Sequence, residues 1–237
     1  MQSDVTHSAT LWKLYAWADA RKKQLLYGLV GLLAVGLVVF YVVWQKGEKQ
    51  AAANHALSDL QAKHMNMPSP GPDAAAAYFK LAADYPGSDA AARAELLGAG
   101  ELFAQGNYAE AQTHFQKFTR EHPQSPMAGQ ALLGIAASLD AQNKTNEAVT
   151  AYQQVIERRP NDPVTPQARF ALGRIYEAQG KWDLARNAFE EVAKGDPFGS
   201  LGSEAGMRSE ELLAKHPELK PAPVVGTNAP PMMVPGK

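Results

Sequence analysis

The sequence predicts an all-α chain: one membrane-crossing helix, then a solenoid of stacked helix hairpins. Three observations predict it. A run of 20 residues, Leu25 to Trp44, carries no charge. Prolines recur every 37 residues through most of the chain beyond that run. Each of these prolines is preceded, at constant distances, by an aromatic residue and an alanine.

Composition sets the outer bounds. Of 237 residues, 46% are hydrophobic and 20% charged, which is enough apolar side chain for a packed core. The formal net charge of -1 predicts no nucleic-acid partner. There is no cysteine, so disulfides, thiol catalysis, iron–sulfur clusters and thiolate zinc sites are excluded.

The first element is the apolar run LLYGLVGLLAVGLVVFYVVW, residues 25–44. As a helix it covers about 30 Å, the thickness of a bilayer's hydrocarbon core. Tyr27, Tyr41 and Trp44 stand near its ends, where amphipathic rings prefer the interface. The run is longer than the apolar part of a signal peptide, and no small-x-small cleavage site borders it, so a retained single-pass anchor is predicted. Lys13, Arg21, Lys22 and Lys23 precede the run, while Lys46, Lys49 and Lys63 come after it. That bias predicts an inside N-terminus and an outside C-terminus. Residues 1–24 then form a short cytoplasmic or interfacial segment, helical over Thr10 to Gln24. No GxxxG pair supports a dimerising span.

The repeat comes next. Pro86, Pro123, Pro160 and Pro197 are each 37 residues apart. Eight residues before them stand Tyr78, Phe115, Tyr152 and Phe189, and twelve before stand Ala74, Ala111, Ala148 and Ala185. Seventeen before the last three stand Gly106, Asn143 and Gly180. The alanine lets two helices approach closely, and the aromatic one turn later fills the space between neighbouring repeats. Glycine or asparagine tolerates the left-handed backbone that ends the first helix. Proline ends the second. First helices are predicted near Asp89–Gln105, Pro126–Gln142 and Pro163–Gln179, with Pro126 and Pro163 in their first turns. Second helices are predicted near Tyr108–Glu121, Thr145–Arg158 and Trp182–Lys194.

The stretches ELFAQGNYAEAQTHFQKFTREHP, ASLDAQNKTNEAVTAYQQVIERRP and GRIYEAQGKWDLARNAFEEVAKGDP resemble tetratricopeptide repeats. Gly173 and Tyr176 match the family's first-helix glycine and tyrosine, whereas Ala99 and Ala136 replace that glycine. Glu95, Leu132 and Arg169 replace the family's large aromatic early in the first helix. The unit is also longer than the usual ~34 residues. The resemblance implies a tetratricopeptide-type α-solenoid of three full repeats plus flanking helices.

The flanks complete the domain. Residues 45–72 are read as a linker and first helix, with a short hinge near Gly47 and a break over Met65–Pro72. Residues 73–216 form the repeat domain. Its last helix, Ser203 to Lys215, is capped by Ser203 and covers the final repeat with Met207, Leu212 and Leu213. Residues 217–237, rich in proline and without periodicity, read as a disordered tail.

No catalytic constellation is visible. His7, His55, His64, His114, His122 and His216 make no i, i+4 metal pair, and no HExxH, P-loop or GxSxG occurs. No catalytic residue, metal or cofactor is therefore assigned, and His122, at a helix end, reads as a cap that compensates the dipole. Protein binding is predicted instead. In repeat solenoids the first helices line the concave face. The repeat phase places Arg93, Phe103, Gln130, Asp140, Gln167, Arg174 and Glu177 on that groove, with Leu96, Leu133 and Phe170 near its floor. The mixed charges suit an extended client segment better than a lone terminal carboxylate.

The order of parts (a tryptophan-rich basic segment, one span, then repeats) and the stretch LWKLYAWADARKKQLLYGLVGLLAVG resemble the YfgM-like ancillary subunit family of the bacterial SecYEG translocon. That resemblance implies an inner-membrane protein with a periplasmic repeat domain. Its partners would be the Sec translocon, a periplasmic chaperone and secreted client chains. The repeats also resemble those of envelope cell-division and outer-membrane assembly proteins, and a self-associating scaffold is the third alternative.

Overall fold

The computed structural model describes residues 17, 19–65, 71 and 73–219, and it is helical with no strand among them. The predicted helix over Thr10 to Gln24 and the tail beyond Leu219 lie largely outside the described residues. Two compact units divide the chain, Met1–Ser69 with Lys80–Ala94 and Pro70–Phe79 with Glu95–Lys237.

Helix α1 spans Lys22–Met65, 44 residues without a break. Its first half is long and apolar enough to cross a membrane, with a mean hydropathy of 2.5 over its most apolar stretch. Side chains there, including Leu37, Phe40 and Trp44, are exposed. The hinge predicted near Gly47 is absent, because the helix runs straight through it. Beyond Gly47 the side chains change character, and Ala53 and Leu57 are buried.

Eight further helices succeed it among the described residues: α2 (Ala74–Asp84), α3 (Asp89–Ala104), α4 (Tyr108–Glu121), α5 (Ala128–Ala141), α6 (Thr145–Arg158), α7 (Thr165–Ala178), α8 (Trp182–Gly195) and α9 (Ser200–Lys215). From α4 to α9, consecutive helices pack as antiparallel neighbours along the chain. A 3₁₀ turn, Pro217–Leu219, closes the described chain, and its Leu219 is buried. The residues read as tail therefore begin with an ordered turn.

The 37-residue ruler corresponds to physical positions. Ala74, Ala111, Ala148 and Ala185 are all buried, as are Tyr78, Phe115, Tyr152 and Phe189. Gly106, Asn143 and Gly180 have φ of 83°, 61° and 70°. Each turn closes in the same way. The N–H groups of Asn107, Lys144 and Lys181 donate to the carbonyls of Leu102, Leu139 and Tyr176 five residues earlier. This pattern satisfies carbonyls at the helix end that would otherwise lack partners.

Three expectations need correction. Pro126 and Pro163 precede their helices by two residues and stand in the connecting turns; Pro166 occupies the first turn of α7 instead. The chain between α6 and α7 is shaped by Asp162, whose carboxylate accepts the Val164 N–H at 3.2 Å and pairs with Arg159 at 3.5 Å. Ser203 is not a cap, since α9 begins at Ser200 with Gly199 before it. Met207 is 65% exposed, so of the three covering residues Leu212 is buried, Leu213 is half-buried and Met207 faces solvent.

The aromatic ruler residue does two jobs. The Phe115 ring lies over Gly134 of the next hairpin, where an added Cβ would come within 2.6 Å of it. Phe189 lies equally close to Gly173 of its own hairpin, and its ring centroid is 6.0 Å from the Arg208 guanidinium of α9. The ring thus bridges hairpins in the first case and packs within and between them in the second.

Candidate protein-binding cleft

Within the second unit, α7, the start of α8 and the end of α9 enclose a cleft of about 380 Å³. Arg174, Glu177, Ala178, Trp182, Arg208, Leu212, Lys215 and His216 line it. Its position comes from the repeat. Helix α9 is a first helix by phase, so it lies beside α7.

Arg208 organises the cleft. Its guanidinium bonds Glu177 at 3.3 Å and Glu204 at 3.4 Å, and stands 5.8 Å from the Phe170 ring centroid. One cation is thereby held by two carboxylates and two aromatic faces. Trp182 stacks on His216 with centroids 4.3 Å apart, and His216 Nδ1 lies 3.1 Å from Glu218. Arg186 donates to the Leu219 carbonyl at 2.6 Å, pinning the closing turn behind them. Lys215 bonds Glu211 at 2.6 Å, and that hydrogen bond, ahead of charge attraction, raises the ammonium pKa and lowers the carboxyl. Arg174 is exposed at the cleft edge.

The predicted groove residues divide accordingly. Arg174 and Glu177 meet in the cleft. Gln130 and Gln167 are exposed and Asp140 is half-buried on α5 and α7. Asp140 also helps raise the Tyr152 phenol pKa, after the larger effect of burial, while Arg174 opposes it. Arg93 is exposed and belongs to the first unit. The apolar residues are turned toward packing. Leu133 and Phe170 pack against buried clusters, Leu96 is half-buried, and Phe103 meets Tyr108 edge-on at 5.1 Å.

Sequence reasoning missed Trp182, Arg208, Lys215 and His216 as cleft residues. A signal existed for Lys215. It stands one period after Ala178, where Ala104 and Ala141 hold the equivalent places. A lysine replacing a constant alanine marks an open face rather than a packed one.

A second convergence lies on α3 and α4. Glu95, Glu121 and His122 bring potential ligand atoms within 4.8 Å of one another. The Lys117 ammonium already stands 2.7 Å from Glu95 and 3.7 Å from Glu121, which makes the group a structural ion-pair cluster. His122 is the residue that ends α4, and its ring lies 5.0 Å from Phe118.

The tetratricopeptide repeat family model matches residues 96–163 and 133–200. No curated protein matches the chain. Among solved structures, the chain is similar to PcrH from Pseudomonas aeruginosa at 17% identity and a TM-score of 0.46, over 53% of this chain and 93% of that one. It is also similar to a double mutant of MamA RS-1 at 19% identity and a TM-score of 0.49, over 70% of this chain and 91% of that one. Residues 96–200 thus carry tetratricopeptide repeats.

Proposed function

We propose that this tetratricopeptide repeat protein is a non-enzymatic scaffold, anchored by residues 25–44, that binds an extended segment of another protein. The observation that carries the reading is the cleft at Arg174, Glu177, Trp182 and Arg208. It joins aromatic surface to both signs of charge, which suits a mixed peptide backbone and side chains. Sites built for catalysis need a nucleophile or base activated by a neighbour, whereas Arg208, Glu177 and Lys215 of the cleft are held in ion pairs.

The order of parts supports a finer reading. The anchor lies in the bacterial inner membrane with its N-terminus cytoplasmic and its repeats periplasmic. The partners are the Sec translocon, a periplasmic chaperone and the secreted chains that pass between them.

Photocrosslinkers placed at Ala178 and Lys215 of the cleft lining in intact membranes test both levels. Adducts to translocon, chaperone and nascent secreted chains support the finer reading. Adducts to division or outer-membrane assembly proteins replace it. Replacing Phe103, Arg174 and Glu177 together should reduce client adducts while helix content stays constant. Undiminished adducts would remove the cleft from the binding function. External protease that spares the repeats would reverse the orientation.

A further inference from the structure

The first unit joins the apolar helix to the first hairpin by a short polar contact. The Asp89 backbone N–H, at the start of α3, donates to Gln50 Oε1 of α1 at 3.1 Å. Gln50 stands six residues after Trp44, the last residue of the apolar run. Helix α1 is unbroken between them, so the rise from Trp44 to Gln50 is about 9 Å. The headgroup layer on one side of a bilayer is roughly 5–7 Å thick, so Gln50 and the Asp89 N–H bonded to it stand just beyond its outer edge. Ala53 and Leu57 of α1, with Ala90, Ala91 and Ala94 of α3, are buried within this same unit, which makes a long flexible stalk between span and hairpin unnecessary. The turn ahead of Asp89 is itself rigid. Ser88 Oγ donates to the Tyr85 carbonyl at 2.8 Å and accepts the Ala91 N–H at 3.0 Å.

From this geometry we infer that the turn Tyr85–Ser88 sits at the outer edge of the lipid headgroup layer, so that the bilayer surface is itself a contact of the first hairpin. Tyr85 is half-buried, and Pro86 and Gly87 are exposed, a tip of the kind that an interface accepts. Acidic and basic residues are balanced there, with Lys46, Lys49 and Lys80 against Glu48, Asp84 and Asp89. The contact is therefore set by covalent reach and holds at high salt, unlike polybasic docking. Partners that approach this turn must therefore do so at the membrane surface. This inference rests on the membrane-anchored reading of residues 25–44.

The chain has no cysteine, so single spin labels can be placed on the full-length protein. Labels at Asp84→Cys, Asp89→Cys, Val38→Cys and Lys63→Cys, the last far along the same helix α1, would be read in vesicles of phosphatidylcholine and phosphatidylglycerol carrying a nickel-chelating lipid. The expected result is a several-fold faster relaxation by lipid-bound nickel at positions 84 and 89 than at 63, unchanged by added salt. Equal relaxation at 84, 89 and 63, with the Val38→Cys label at hydrocarbon depth, overturns the surface contact and leaves the anchor standing. A Val38→Cys label outside the hydrocarbon overturns both.

Discussion

Lys117 Nζ of α4 lies 2.7 Å from Glu95 Oε1 of α3 and ties one hairpin together. Two repeat lengths later the same two positions hold Glu191 and Arg169, paired at 2.8 Å with the charges exchanged. In the middle copy they hold Gln154 and Leu132. The family's large aromatic is missing at Glu95 and Arg169, and a cross-hairpin ion pair stands where its packing would have been.

The two pairs differ in burial, and so in consequence. The Glu95 side chain is 9% exposed, whereas Arg169 and Glu191 are 28% and 62% exposed. Lys117→Ala leaves a buried carboxylate without its cation and should cost about 2 kcal/mol. Arg169→Ala should cost under about 1 kcal/mol. The exchange Glu95→Arg with Lys117→Glu, which copies the later hairpin, should recover most of the first loss. Urea midpoints of these variants provide the check, and an uncompensated double variant would rule out a simple pairing role.

Tyr152 couples the array to alkali. Burial raises its phenol pKa, and nearby Asp140 raises it further. Tyr78 is raised by burial and by Glu101. A raised folded pKa means that the native state holds the proton more tightly than the unfolded chain. The associated stability is complete below the ordinary phenol pKa of about 10 and is lost as pH rises above it. Helix content should fall in step with tyrosinate absorbance on alkaline titration, and Tyr152→Phe should move that transition to higher pH. A transition unmoved by Tyr152→Phe would assign the alkaline loss to other groups.

Gly173 and Gly100 should respond oppositely to alanine. At Gly173 the new Cβ would meet the fully buried Phe189 ring at 2.6 Å, while at Gly100 it would meet nothing within 4 Å. Gly173→Ala should lose about 1–3 kcal/mol through overpacking. Gly100→Ala, on an exposed face of α3, should gain up to about 1 kcal/mol from helix propensity. Thermal melting of the pair would reveal whether the ring can move aside. Alanines at the equivalent positions 99 and 136 show that the fold accepts a Cβ there when the ring is oriented otherwise.

Asn143 occupies, at φ 61°, the turn position that Gly106 and Gly180 hold in the flanking copies. Asn143→Gly should be neutral or stabilise by less than about 1 kcal/mol, whereas a β-branched Asn143→Val should destabilise by about 1–2 kcal/mol. Chemical denaturation of both variants would measure the cost of the left-handed backbone directly.

Much of the fold was legible because it repeats. A buried alanine, a buried aromatic and a left-handed turn residue each recur at one spacing. The starts of α5, α7 and α9 were less legible, because Pro126, Pro163 and Ser203 each suit more than one position near a helix start. Met207 was misplaced for a related reason. Its equivalents Leu133 and Phe170 pack against buried clusters, whereas Met207, on the last helix, is exposed among the described residues.

The candidate cleft divides in the same way. Arg174 and Glu177 were readable from periodic phase alone, since both stand on a first helix at positions turned away from its partner. Trp182, Arg208 and His216 were not, because none of them recurs at the repeat spacing.

The sequence by itself determined the hairpins, their number and the apolar run, since helix period, turn chemistry and proline spacing are local properties that each segment carries alone. Tertiary structure decided which aromatic leans on which glycine, how Glu95 finds Lys117, and where a cleft opens. Those outcomes depend on distances between side chains far apart in the chain, set only when neighbouring helices share one packed interior.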